Sequence, residues 1–242
     1  MRSKSSWLIA TLFLAARLNA QEVKTTTATI APQDHPWHFF VVYDYFLPGN
    51  VGHGLNNQLQ SQSDTLISQG YSLTTFNVNT QGGSGTRFGF LHAVDKKSDL
   101  GLSFGYIIGP TMNSSFNAIG PPGLGSETIN RDVVYLRYLV EGHFNFPIDK
   151  HWTFSMGSGF GLATGRVDQS CAAAGSIACP ITSARRTWTG FAWEFTPSAT
   201  YHMKTANIIG GVRYAGFPEF NGDAQIADID WVTYGFFLGA SF

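Results

Sequence analysis

Six ionisable residues recur at positions that alternate with large apolar ones: Asp44, Arg87, Arg137, Glu141, Glu194 and Arg213. Three are acids and three are arginines, so together they are neutral. Charges enclosed in a low-dielectric interior need partners or water, and this set offers a self-neutralising network. Counting outward from a turn at His202 to Thr205 sets Glu194 and Arg213 directly across from one another and predicts an ion pair. Asp44 and Arg87 read as a second pair near one rim. Arg137 and Glu141 stand four residues apart on one strand, about 13 Å at the usual rise, so each must reach other partners across the interior.

Other reactive side chains offer less. The seven histidines are His35, His38, His53, His92, His143, His151 and His202, with no metal-ligand spacing among them. His143, close to Glu141 and Asn145, reads as a hydrogen-bonded structural residue rather than an acid–base catalyst. The run Gly157-Ser158-Gly159-Phe160-Gly161 lacks the later glycine of a dinucleotide fingerprint and lies inside a period-two segment, where glycines suit a narrow interior. Two cysteines alone make a poor metal site. No catalytic residue, metal site or cofactor is assigned.

The elements that carry these residues are strands. Trp37, Phe39, Val41, Tyr43 and Tyr45 alternate with His38, Phe40, Val42, Asp44 and Phe46. Further stripes run over 100–108, 132–146, 152–162 and 191–201, with weaker ones at 88–94 and 208–216 and a last one at 232–242. That makes eight candidate strands, an even count as expected of a single-chain bacterial barrel. Tight turns at 95–99, 147–150 and 202–205 alternate with long connections near 47–85, 110–131, 166–186 and 217–231. Eight strands enclose a space only just wide enough for side chains. The Gly, Ser, Thr and Ala face fits that space, whereas the Trp, Phe, Tyr and Leu face would overfill it and must point outward into lipid. The fold class expected is therefore all-β: an eight-stranded antiparallel up-and-down transmembrane β-barrel.

Pro197 conflicts with its strand, because a closed barrel has no edge to spare a ladder hydrogen bond, so a local irregularity is expected there. In the first long connection, Leu55, Leu59, Leu66 and Ile67 are compatible with either a short amphipathic helix or an ordinary loop.

Arg2 and Lys4 precede an apolar run from Trp7 to Ala16, and Leu18-Asn19-Ala20 precedes Gln21. This is the pattern of a cleavable signal peptide over 1–20, and the run is too short to span a bilayer. With both chain ends on the short-turn side, 21–36 becomes a periplasmic tail and 37–242 the barrel. Export into an oxidising compartment makes a Cys171–Cys179 disulfide the expected state. With 13% charged residues and a net charge of −1, the 242-residue chain has no basic patch for nucleic acid.

The ending Tyr234-Gly235-Phe236-Phe237-Leu238-Gly239-Ala240-Ser241-Phe242 resembles the C-terminal insertion signal of bacterial outer-membrane proteins, with Phe242 terminal and Ala240, Leu238, Phe236 and Tyr234 alternating before it. From Trp37 to Phe242 the chain is similar to the small outer-membrane barrels that include the OmpA transmembrane domain and OmpW-like proteins. The resemblance implies an outer-membrane location, recognition by the barrel-insertion machinery, and lipid and lipopolysaccharide as surroundings. The role expected first is non-enzymatic: loops presented for structural, adhesive or surface interactions, with an extracellular ligand at those loops. An OmpW-like conduit for small hydrophobic molecules is the alternative, suggested by inward Phe40, Leu91, Ile107, Leu139 and Phe237. An envelope-lipid-modifying enzyme ranks third, since the sequence lacks a His-x-Ser motif like that of lipid A deacylases.

Overall fold

The computed structural model describes residues 37–242 except 50–53, 122, 180–182, 224–225 and 227. The expected signal peptide (1–20) and tail (21–36) lie outside the described residues.

Alternating side chains generate nine strands: β1 (Trp37–Phe46), β2 (Ser72–Gln81), β3 (Gly83–Ala93), β4 (Ser98–Gly120), β5 (Gly123–Pro147), β6 (Trp152–Gly175), β7 (Ser183–His202), β8 (Asn207–Gly216) and β9 (Val232–Ser241). Eight of them close a ring in the order β1-β3-β4-β5-β6-β7-β8-β9, every pair antiparallel. The ring seals where β9 meets β1, and Phe39 and Phe242 exchange backbone hydrogen bonds of 3.1 and 2.8 Å at that seam. The ninth strand, β2, lies outside this ring count. Among the described residues it pairs only with the far half of β4, and it leads into β3 across the single residue Gly82.

Lipid-facing and interior-facing residues separate cleanly. Phe39 is 63% exposed and Leu238 65%, whereas their inward neighbours Phe40 and Phe237 are 4% and 6%. A soluble surface does not carry a continuous girdle of exposed aromatic and aliphatic side chains, and a bilayer requires one. Trp37, Trp152 and Tyr201 stand on the outward face near the short turns, and Tyr45, Tyr106, Tyr214 and Tyr234 toward the other end, as interfacial aromatics do.

The long connections hold more structure than their composition suggests. Those near 110–131 and 166–186 are not irregular loops: β4 and β5 continue to a hairpin at Gly120–Gly123, and β6 and β7 continue to Gly175 and from Ser183. The inward face of these extensions stays buried, with apolar Met112, Phe116, Ile129, Val133 and Val167 interrupted by Ser114, Glu127, Arg131 and Gln169, while the outward residues change from Ile108 and Leu162 to Thr111, Asn113, Asn130 and Arg166. The strands therefore leave the apolar layer and form an outer sheet, β2-β4-β5-β6-β7.

The connection near 47–85 contains a helix, α1 (Gly54–Ser68), and all of β2. Leu66 packs on Phe116, Ala118 and Ile177, while Ile67 is 54% exposed. The side chains of Leu55 and Leu59 lie outside the described residues. At Pro197 the β7–β8 ladder is interrupted at Thr196 and Pro197 and resumes in the same register at Ser198.

Candidate functional site

The interior is a stack of layers. Asp44 from β1, Arg87 from β3, Arg137 and Glu141 from β5, Glu194 from β7 and Arg213 from β8 all point inward, each 1% to 3% exposed. Arg137 Nη2 donates to Glu194 Oε2 at 2.6 Å and Arg87 Nη1 to Glu194 Oε1 at 2.9 Å. Arg87 also binds Glu141, which accepts from the Ser103 hydroxyl as well. Arg213 reaches Asp44 at 2.7 Å and Glu194 at 3.3 Å. Glu194 is thus the hub on which three guanidinium groups converge. Gly159 makes room for it, since a Cβ there would stand 3.1 Å from Glu194 Cγ and 3.3 Å from Glu141 Cγ.

One pairing read in the sequence differs, and the other, Glu194 with Arg213, forms with a different geometry. Asp44 pairs with Arg213 and not with Arg87, because Arg87 is occupied by Glu141 and Glu194. Glu194 and Arg213 are not directly opposite: the turn begins one residue later, at Met203, so Glu194 faces Ala215 and the contact with Arg213 is diagonal. A one-residue move of the turn displaces the cross-strand partner by two.

Aromatic rings close the charged layer on both sides. Arg87 lies 5.0 Å from the Phe40 ring centroid and Arg213 5.0 Å from that of Phe237, on the short-turn side. Arg137 sits 5.4 Å from Phe217 and Arg213 5.9 Å from Phe46 on the other. Such contacts suit guanidinium groups that must give up water.

Next comes an apolar layer that sequence reasoning missed. The connection near 217–231 does not extend away as a loop but folds into the barrel mouth. Phe217, Ile226, Ile229 and Trp231 are 0% to 5% exposed and pack with Phe46, Ile107 and Tyr135. Trp231 stacks on Phe217 at 4.4 Å between centroids, and its indole N–H donates to Pro48 O at 2.9 Å. The Trp188 indole N–H donates to Pro218 O at 2.9 Å, and Arg186 binds Asp223, so the plug is also tied to β7. The available signal was five large apolar residues, Phe217, Phe220, Ile226, Ile229 and Trp231, in one supposedly water-exposed connection.

A water-filled passage would leave accessible surface on the residues lining it. Neither the charged nor the aromatic layer has any to speak of, so the lumen is shut at two successive levels. Phe40, Leu91 and Phe237 form one buried cluster and Ile107 and Leu139 belong to the larger one around Trp231, each at most 8% exposed. They line no open path.

Within the outer sheet, Arg131 Nε donates to Gln169 Oε1 at 2.6 Å, and burial brings the guanidinium down to about 10. Glu127, 4% exposed among the inward residues, has its carboxyl pushed up by the same desolvation. A carboxyl raised above its unfolded value carries no penalty below the unfolded pKa and a full one above the folded pKa. Glu127→Gln is therefore expected to stabilise the outer sheet at pH 7 and to change little at acid pH, read by hydrogen exchange of β4 and β5 at both pH values.

Cys171 and Cys179 form a disulfide. It holds Ile177 against Phe116 and Ala118. Replacing both cysteines with serine is expected to cost the loop about 2.5 kcal/mol of closure entropy. Proteolysis should accelerate near Ser176 while the melting of the barrel stays where it was.

His143 Nε2 lies 3.1 Å from Glu141 Oε2, and Ser103 donates to the same carboxylate, not to the imidazole. The trio has the composition of a catalytic group but lacks the hydroxyl-to-base contact that activates a nucleophile. Among the described residues no three His, Cys, Asp or Glu side chains gather as a metal site.

No protein-family model and no curated protein matches the sequence. Solved structures similar to it include the outer membrane protease OmpT from Escherichia coli, at 8% identity over 90% of this chain and 99% of that one, TM-score 0.45. Neisserial surface protein A is similar at 7% identity over 86% and 96%, TM-score 0.41. Ail of Yersinia pestis, in complex with the heparin analogue sucrose octasulfate, is similar at 11% identity over 86% and 100%, TM-score 0.37. All are small outer-membrane barrels. The assignment of this chain to that fold class rests on its own closed ring and outward apolar girdle.

Proposed function

We propose that this protein is a sealed, non-enzymatic barrel of the outer membrane whose task is to hold an outer sheet above the lipid for adhesive or other surface interactions. The observation that carries this reading is the doubly closed lumen, combined with strands that run well past the apolar layer. A conduit has no need of the second feature and no use for the first. The segment 1–20 serves as a cleaved export signal and 21–36 as a periplasmic tail. The strand ending in Tyr234, Phe236, Leu238, Ala240 and Phe242 serves as the mark read by the insertion machinery. An extracellular ligand would meet the outer sheet, where β2 pairs on one side only.

The test is a trimmed barrel. Replacing 54–81, 112–130 and 169–184 with short turns removes the outer sheet, β2 included, and leaves the ring. Cells carrying it should lose adhesion to surfaces and matrix proteins relative to the intact chain, while the barrel still migrates as a folded, heat-modifiable species. Unchanged adhesion would remove the display reading.

A further inference from the structure

The outward face of the outer sheet is a continuation of the lipid-facing one. On β5 the outward positions run Leu136, Val134, Asp132, Asn130 and Thr128, and on β4 Tyr106 and Ile108 give way to Thr111, Asn113 and Ser115. The strand register aligns these polar residues into rows. Asn79 faces Asn113, which faces Asn130, and Asn77 faces Ser115, which faces Thr128. Neighbouring strands are about 4.8 Å apart and successive rows about 7 Å, so the two rows form a closely spaced array of amides and hydroxyls.

This array has two properties. It is uncharged, with the nearest acid, Asp132, one row closer to the lipid. It also keeps hydrogen-bonding capacity in hand. Asn117 donates to Thr75 at 2.8 Å in the row beyond, and Thr111 to Asp132 at 3.0 Å in the row below, but among the described residues no side-chain hydrogen bond engages Asn79, Asn113 or Asn130. Amides that each donate and accept, set at strand spacing, match a polyhydroxylated chain, which also donates and accepts at every unit. Asn130 lies four residues past Val134, about 13 Å along the strand, beyond the apolar stretch of the outward face.

We infer that the Asn79–Asn113–Asn130 and Asn77–Ser115–Thr128 rows bind the core oligosaccharide of the lipopolysaccharide surrounding the barrel. Neutral sugar hydroxyls are the partners, and phosphate groups are not, because no cation stands in either row. This surface anchors the outer sheet sideways in the glycan layer and leaves the β2 edge and the hairpin tips free for other contacts. It rests on the membrane-barrel reading, but its test does not depend on adhesion.

The full-length protein is reconstituted in one set of membranes with lipopolysaccharide bearing core sugars and in another with lipid A alone. Amide hydrogen exchange is followed in β4 from Thr111 to Asn117 and in β5 from Ser126 to Asn130. Exchange is expected to be roughly threefold slower with core sugars, the scale of one net hydrogen bond. Asn113→Ala/Asn130→Ala should abolish the difference while β8 and β9 exchange as before, which checks folding. Equal exchange in the two membranes, or protection that survives the double substitution, would overturn the assignment. Protection that follows lipid A phosphate and not core sugar would overturn it as well.

Discussion

Replacing Glu194 with alanine is expected to cost the barrel about 3–5 kcal/mol, the scale for breaking a buried ion pair from one side. The magnitude follows from what remains behind. Arg137 at 2.6 Å, Arg87 at 2.9 Å and Arg213 at 3.3 Å all lose the same carboxylate, and all three are 1% to 3% exposed. Glu141 and Asp44 would then hold three guanidinium groups between them. Equilibrium unfolding in lipid vesicles measures the loss. A second substitution, Arg137→Gln, restores neutrality, so the double variant should recover part of the stability lost by Glu194→Ala alone. A single-variant cost under about 1 kcal/mol, the value for exposed pairs, would mean that the layer is hydrated after all.

Trp231→Ala is expected to have a comparable effect by a different mechanism. Trp231 is fully buried, stacked on Phe217, edge-on to Phe46 at 5.5 Å, and tied through its indole N–H to Pro48 O. Truncating a buried aromatic of this size costs roughly 3–5 kcal/mol in transfer and cavity terms. Because Trp231 closes the plug segment, its loss should also release Ile226 and Ile229, and protease access to 217–231 should rise together with the fall in stability. Trp231→Phe keeps the stack but gives up the hydrogen bond and should retain most of the stability.

These predictions concern the two parts of the molecule that differ most in legibility. The charged layer can be read from sequence because strand alternation is strict: once bulk assigns the Gly/Ser/Thr face to the interior, Asp44, Arg87, Arg137, Glu141, Glu194 and Arg213 have nowhere else to point. Which acid meets which arginine cannot be read. That depends on barrel closure, which brings β3 and β8 together around Glu194, and on the start of a turn to within one residue. The outer sheet was hidden for another reason. Strand signals weaken when the outward face turns from Phe and Leu to Asn, Ser and Thr, so 110–131 has the composition of a loop while keeping the period of a strand. The plug over 217–231 has no period at all. Its apolar residues are placed by the ring around them, and local sequence carries only their unexplained presence in a polar connection.

The most direct test of the sealed lumen is single-protein electrical recording in planar bilayers. The wild-type chain is expected to give no stepwise conductance above that of empty membrane at any applied voltage. Trp231→Ala should stay silent too, because the charged layer beneath still closes the barrel. Discrete, reproducible channel openings from the wild-type protein would contradict the account.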